Sequence, residues 1–255
     1  MGYTRKSAVT AGILLLLGGI AVPGETPDSQ TKPGDQPEVI PLPGPETAPD
    51  VSLGEALRTR RSVRSYRAEP LSLEELGRIL WAAQGITQSG TGYRTAPSAG
   101  ATFPLELYAV IGADTIYRGD TASADTSNAD TRAVEPIEPG IYRYLPRRHA
   151  LEPTVTGDKR RALFEAALGQ TAVRDAPVVI AITGVTARTA QRYGTRAERY
   201  IAMEAGHASQ NIYLQAAALG LGTVAIGAFE DAMLSQVLRL PSGEEPLYLM
   251  PVGRR

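Results

Sequence analysis

Residues 196–219 make the longest stretch of the chain that can be helical, and Gly220, Leu221 and Gly222 follow at once. Ile201, Ala205, Ala208, Ile212, Gln215 and Leu219 share one face at helical spacing, and Met203, Tyr213 and Ala217 widen it. A helix apolar over so much of its circumference must be covered on several sides, inside the fold or at a subunit interface. The glycines predict its end, and residues 223–226 predict a short strand. Strands are also predicted at residues 105–111 (LELYAVI), 140–145 (GIYRYL), 177–183 (PVVIAIT) and 247–252, with a weaker extended piece up to Val155. Ser52 and Glu55, and again Ser72 and Glu75, have the spacing of a capping box. The second opens a helix carrying Leu73, Leu76, Ile79, Leu80 and Ala83 on one face, with Gly85 at its end. Further helices are predicted at 158–168 and 231–238, and the polar residues 114–138 predict a surface insertion. Strands and helices mix without strict alternation, which predicts an α+β fold and not a doubly wound sheet.

The N-terminal fifty residues read differently. Arg5 and Lys6 precede an apolar run over residues 8–22, with Gly19 and Ala21 at suitable cleavage positions. This is the layout of a signal peptide or N-terminal anchor, so residues 1–22 predict an exported, periplasmic or membrane-anchored protein with a tether through 8–22. Without such a signal the protein would be cytoplasmic. Residues 23–50 hold 8 of the 19 prolines, which predicts an extended, disordered linker. Residues 51–255 are left for one hydrophobic core.

Composition removes several kinds of chemistry. The chain has no cysteine, so disulfides, thiolate nucleophiles and Cys-ligated metals are absent. Two histidines cannot make a His-rich metal site, and no metal is expected. A formal net charge of −1 argues against nucleic acid as a partner.

Three stretches carry candidate chemistry. In Arg60-Arg61-Ser62-Val63-Arg64, guanidinium forks suit a phosphate, and a hydroxyl and backbone N–H groups can fill its remaining acceptors. The competing use of these arginines is to complement the C-terminal end of a helix dipole. In Pro97-Ser98-Ala99-Gly100-Ala101, small residues would let a flat ligand approach the backbone. The Ser98 frame is not a nucleophile elbow, because G-x-S-x-G is absent. The third stretch is Gly220-Leu221-Gly222 leading into Ala225-Ile226-Gly227-Ala228-Phe229.

In this order and spacing, RRSVRSY (60–66), SLEELGRILWAAQG (72–85), PSAGATFPLELY (97–108), EAGHASQNIYLQAAALGLGTVAIGAF (204–229) and LYLMPVG (247–253) resemble the FMN-dependent nitroreductase family. They come nearest to its SagB-type dehydrogenase branch. The resemblance implies a mostly antiparallel central sheet flanked by helices, in a homodimeric α+β sandwich with FMN at the dimer interface. It implies Arg60 and Ser62 at the flavin phosphate, with Arg61 in the same cluster, and Arg64 near the N1/O2 edge of the ring. Ser98, Ala99 and Gly100 would pack near the ring from the partner subunit. Gly227 and Ala228 would lie beside N5, and Arg254 or Arg255 would close the phosphate site.

The activity implied is that of an FMN-dependent oxidoreductase. Hydride or electrons pass at flavin N5 between a donor such as NAD(P)H and a small-molecule or peptide acceptor. One alternative is a peptide azoline-to-azole dehydrogenase. The oxidases of that kind use a Lys-Tyr pair as base, where this chain has Arg199-Tyr200, making Tyr200 the catalytic candidate. The other alternative is an exported, non-catalytic flavin-binding protein. The G-H-x-x-Q-N run around His207 points to a structural or interface role for that histidine.

Overall fold

The structure is a computed structural model and describes residues 38–45, 51–119 and 135–255. The main sheet has seven strands: β1 (Ile40–Pro41), β2 (Leu105–Ile111), β3 (Gly140–Leu145), β4 (Ala150–Thr156), β5 (Val178–Val185), β6 (Leu221–Thr223) and β7 (Glu244–Arg254). Their order is β1-β4-β3-β2-β5-β7-β6, and every neighbouring pair is antiparallel. The helices are α1 (Leu53–Thr59), α2 (Leu73–Gln84), α3 (Arg160–Ala166), α4 (Thr171–Asp175), α5 (Thr186–Tyr193), α6 (Ala197–Ala218) and α7 (Asp231–Leu238).

Both faces of the sheet are covered, which is why its middle strands read as continuous apolar runs and not as alternation. Leu105, Leu107, Ala109 and Ile111 of β2 pack with Leu76, Ile79 and Leu80 of α2 and with Ala205, Ala208 and Ile212 of α6. Tyr108 and Val110 face the other way, toward Leu163 of α3, Val173 of α4 and Leu234 and Leu238 of α7. Leu80, Ile180, Ile182 and Leu234 are wholly buried, and each such side chain contributes roughly 1.5–3 kcal/mol. The predicted capping box forms at α2: the Glu75 N–H donates to Ser72 Oγ at 3.1 Å, and the Ser72 N–H donates to Glu75 Oε2 at 2.9 Å.

Several expectations are corrected. Residues 38–45 are not a detached linker. Ile40 and Pro41 pair with Leu151 and Ala150, and Ile40 and Leu42 are buried. Prolines do not prevent this, because an edge strand needs few N–H donors. The polar insertion at 114–138 is anchored at both ends by the buried Ile116 and Ile137, while residues 120–134 lie outside the described residues. The strand after α6 is Leu221–Thr223 and not 223–226.

The expectation of an exported or membrane-anchored protein is corrected as well. The tether at residues 8–22 lies outside the described residues, and among the described residues no helix is long and apolar enough to cross a membrane. The homodimer is likewise not carried forward: the described sheet has both faces covered by helices of its own chain.

The strap at 38–45 is locked by a histidine. The Leu42 N–H donates to His149 O at 2.9 Å. His149 Nε2 lies 2.9 Å from Pro43 O, and its Nδ1 lies 2.9 Å from the Tyr144 hydroxyl. A carbonyl only accepts, so Nε2 carries the proton and Nδ1 accepts from Tyr144. Burial holds the His149 pKa below its ordinary value, against the opposing pull of the Pro43 carbonyl. A group with a lowered folded pKa gives stability that is present above its unfolded value, about 6.5, and is lost as pH falls through the folded value. H149F should therefore cost about 1 kcal/mol for each hydrogen bond lost at pH 7.5, and the gap to wild type should narrow toward pH 5. Urea unfolding at both pH values checks this, and a gap that stays constant or widens refutes the locking role.

Candidate functional site

α1 ends at Thr59, and from Arg60 to Tyr66 the chain lies across the β6–β7 edge of the sheet. Ser62 forms a parallel bridge to Thr223, and the Val63 N–H donates to Thr223 O at 2.9 Å. This approach needs a residue without a side chain beneath it: a Cβ on Gly222 would fall 2.7 Å from Val63. Tyr66 holds the far end, its hydroxyl lying 2.8 Å from Val63 O and 3.1 Å from Pro251 O. The Arg67 N–H then donates to Arg254 O at 3.0 Å.

On this edge Arg60 and Ser62 converge on Tyr213 of α6. The Arg60 guanidinium carbon stands 5.1 Å from the centre of the Tyr213 ring, and Ser62 Oγ lies 3.0 Å from the Tyr213 hydroxyl. The Ala225 N–H donates to the same hydroxyl at 2.8 Å. Among the described residues neither Arg60 nor Arg64 has an acidic partner. Among the described residues Thr223 Oγ1 is buried and has no hydrogen-bond partner. The Arg60 guanidinium and the Ser62 hydroxyl, brought together on Tyr213, form a donor pair that fits a phosphate group, and Arg64 is exposed two residues further along the same segment.

Just beyond Ala225, Gly227 and Ala228 are exposed, and among the described residues their N–H groups have no acceptor. Their backbone is nonetheless fixed. Ile226 pairs with Leu249 in both directions, and Gln170 Nε2 donates to Ala228 O at 2.8 Å and to Ala167 O at 3.0 Å. Gln170 carried no readable signal, being a lone polar residue between helices.

The other basic candidates are placed differently. Arg61 Nη1 donates to Arg58 O at 3.0 Å and to Arg60 O at 2.7 Å, so this side chain serves the C-terminal end of α1. Arg254 is held by Glu75 through two bonds of 2.7 and 3.0 Å, which ties β7 to the first turn of α2. Arg255 is exposed.

Ser98, Ala99 and Gly100 lie on another side of α6. The Ala99 N–H donates to Glu204 Oε1 at 2.7 Å, and the Phe103 N–H donates to Ser98 Oγ at 2.9 Å. Gly100 has φ +59°, and a Cβ there would meet the Tyr193 hydroxyl at 2.7 Å. Tyr200 lines a cavity of about 300 Å³ with Pro97, Ser98, Ala99, Met203, Glu204 and His207. Arg196 Nε donates to its hydroxyl at 3.0 Å, and Tyr193 meets its ring edge-on at 5.0 Å. Glu204 and Tyr213 are nine residues apart, which at 100° per residue puts them on opposite sides of α6, about 13 Å apart along its axis. The chain therefore unites Arg60, Ser62 and Tyr213, and separately unites Ser98, Ala99 and Tyr200, but does not bring the two groups together.

Glu204 was not singled out by the sequence reading, although a signal existed: it sits among Ile201, Ala205 and Ala208 on the buried stripe of the helix. It is 4% exposed. Burial pushes its carboxyl above the ordinary range, against the Ala99 N–H, the Ser98 hydroxyl, His207 and Arg94. A raised folded pKa gives stability that is present below the unfolded value and is lost as pH rises through the folded one. The stability of wild type relative to E204Q should therefore fall between pH 4.5 and pH 7.5. Denaturant midpoints of both proteins across that range check this, and parallel curves exclude it.

The chain matches the model described as "Nitroreductase family" over residues 57–254. It is 41% identical over 206 residues to a Methanocaldococcus jannaschii protein named "Putative nitroreductase", covering 81% of this chain and 92% of that one. A solved structure titled as a "putative nitroreductase" from Ralstonia eutropha JMP134 is 30% identical with TM-score 0.68, covering 85% of this chain and 89% of that one. One with the same description from Anabaena variabilis is 28% identical with TM-score 0.64, covering 79% of this chain and 38% of that one.

Proposed function

The chain belongs to the nitroreductase family of FMN-dependent oxidoreductases, and on that premise we propose that Arg60, Ser62 and Arg64 bind the flavin at the β6–β7 edge of the sheet. The observation that carries this is Arg60, which has no acidic partner among the described residues, held on the Tyr213 ring beside a serine whose backbone is fixed to Thr223. When bound, FMN supplies the two-electron redox chemistry, with hydride exchanged at N5. The protein's own work is to bind, orient and polarise. Arg60 and the Ser62 hydroxyl would hold the phosphate. Arg64 would supply a fixed cation favouring the negative charge that reduction places on the ring. The free N–H groups of Gly227 and Ala228 would direct donors at the ring edge, and their lack of bulk would keep that edge open to a second substrate.

NAD(P)H as donor and a small-molecule or peptide acceptor belong to this same reading. Placement in the SagB-type branch rests on the matching stretches of sequence. Peptide azoline oxidation is the weaker form of the proposal. The residue before Tyr200 is Arg199, which stays protonated and is a poor base, and Tyr200 stands across α6 from Arg60 and Ser62. Arg61 and Arg254 are left out of the flavin set because their guanidiniums are already engaged.

Purified protein loaded with FMN and desalted should keep its flavin absorbance and bleach on anaerobic titration with NADH or NADPH. R60A should lower FMN affinity at least tenfold, since a charge-assisted hydrogen bond is worth about 1.5–3 kcal/mol. R60A and R64A proteins that retain flavin like wild type would remove the proposed site.

A further inference from the structure

Among the described residues Tyr213 touches both Arg60 and Ser62 of the anion cradle, and the proposed function gives it no task. Its ring lies under the Arg60 guanidinium at 5.1 Å. Its hydroxyl lies 2.8 Å from the Ala225 nitrogen and 3.0 Å from Ser62 Oγ. The direction of these bonds follows from what each group can do. A backbone N–H only donates, so the Tyr213 oxygen accepts from Ala225. Tyr213 and Ser62 each have one hydroxyl proton to give. Once an anion lies against Ser62, the serine proton is drawn to it, because a bond to a charged acceptor is roughly twice as strong as a neutral one. Ser62 Oγ can then only accept from Tyr213, and the tyrosine proton points at the serine.

We propose that Tyr213 is a positioning residue for the flavin phosphate, passing donor polarity from the Ala225 N–H through its own hydroxyl to Ser62 and on to the anion. The inference rests on the proposed flavin site. Chains of hydrogen bonds polarise one another, so Ser62 in this chain is a stronger and better-aimed donor than a lone serine. The Tyr213 ring holds Arg60 beside the same anion through cation–π contact. Arg60 and Ser62 come from one short extended segment, whereas Tyr213 and Ala225 come from α6 and from the loop after β6. Correct docking of that segment and readiness of the donors are thus a single event.

The test uses the full chain and two flavins that differ only in the phosphate. Y213F keeps the ring and removes the hydroxyl. Relative to wild type it should lower affinity for FMN about tenfold, the scale of one hydrogen bond to a charged group, and leave affinity for riboflavin unchanged. S62A should show the same contrast. The double variant S62A/Y213F should lose no more than the larger single loss, because the two act in series. Flavin fluorescence titration gives the affinity of each protein, R60A included, for both flavins. S62A alters no packing in α6, so it keeps the test open if Y213F folds poorly.

Equal losses for FMN and riboflavin in Y213F would show a merely structural role and overturn the relay. Unchanged FMN affinity in Y213F with a large loss in R60A would overturn the relay while leaving the flavin site standing. Unchanged FMN affinity in R60A would overturn the site, and the relay with it.

Discussion

A side chain at position 222 would collide with Val63, and the whole of the proposed site depends on its not being there. Gly222 sits inside β6, and with no Cβ it lets the extended segment after α1 lie directly on the strand. The Val63 N–H then reaches Thr223, and Ser62 and Arg60 fall against Tyr213. The same device recurs at Gly253 in β7, where a Cβ would fall 2.8 Å from the Tyr66 ring. Two neighbouring strands thus give up side chains so that one polar segment can be held by backbone bonds on an otherwise apolar sheet. Cations fixed in this way need not be ordered by their ligand, which lowers the entropic cost of binding.

α6 carries two polar anchors along its length. Near its C-terminal end Tyr213 serves cationic and hydroxyl groups. Near its N-terminal end Glu204 receives the Ala99 N–H and holds the Pro97–Gly100 turn. A buried carboxylate is a costly anchor for a loop, since its charge must be desolvated. It does fix the loop with an acceptor stronger than any neutral side chain could offer. Arg192 and Tyr193 close over Gly100 from α5, and its φ of +59° disfavours any residue with a side chain at that position.

Much of the architecture was legible because it rests on burial. The runs at 105–111 and 140–145 and the faces of α2, α6 and α7 are where periodicity put them, since covered surfaces leave an apolar record. The misses have the opposite character. α5, with the sequence TARTAQRY, has almost no apolar spacing and is fixed by its neighbours. β1 hides in a proline-rich segment because an edge strand of two residues needs only Ile40 and Leu42 to be buried. β6 lies N-terminal to the predicted 223–226 because Gly222 reads as a helix stop in sequence, whereas in the fold it sits within the strand and receives Val63. In the site, Arg60, Ser62 and Arg64 could be picked out by residue type. Sequence alone could not show that Arg61 and Arg254 are occupied by α1 and Glu75, because each pairing depends on where another element happens to end. Tyr213 looked like one more apolar position on a helix face, and only its hydroxyl contacts distinguish it.

The sheet order has a consequence for how the protein is made. β7 is the last strand in the chain, yet it lies inside the sheet, between β5 and β6. Until it leaves the ribosome, β5 and β6 each present an unpaired edge, and Tyr66 lacks the Pro251 carbonyl that pins it. From the synthesis of β6 until that of β7 the nascent chain carries two open edges of the kind that recruit other strands.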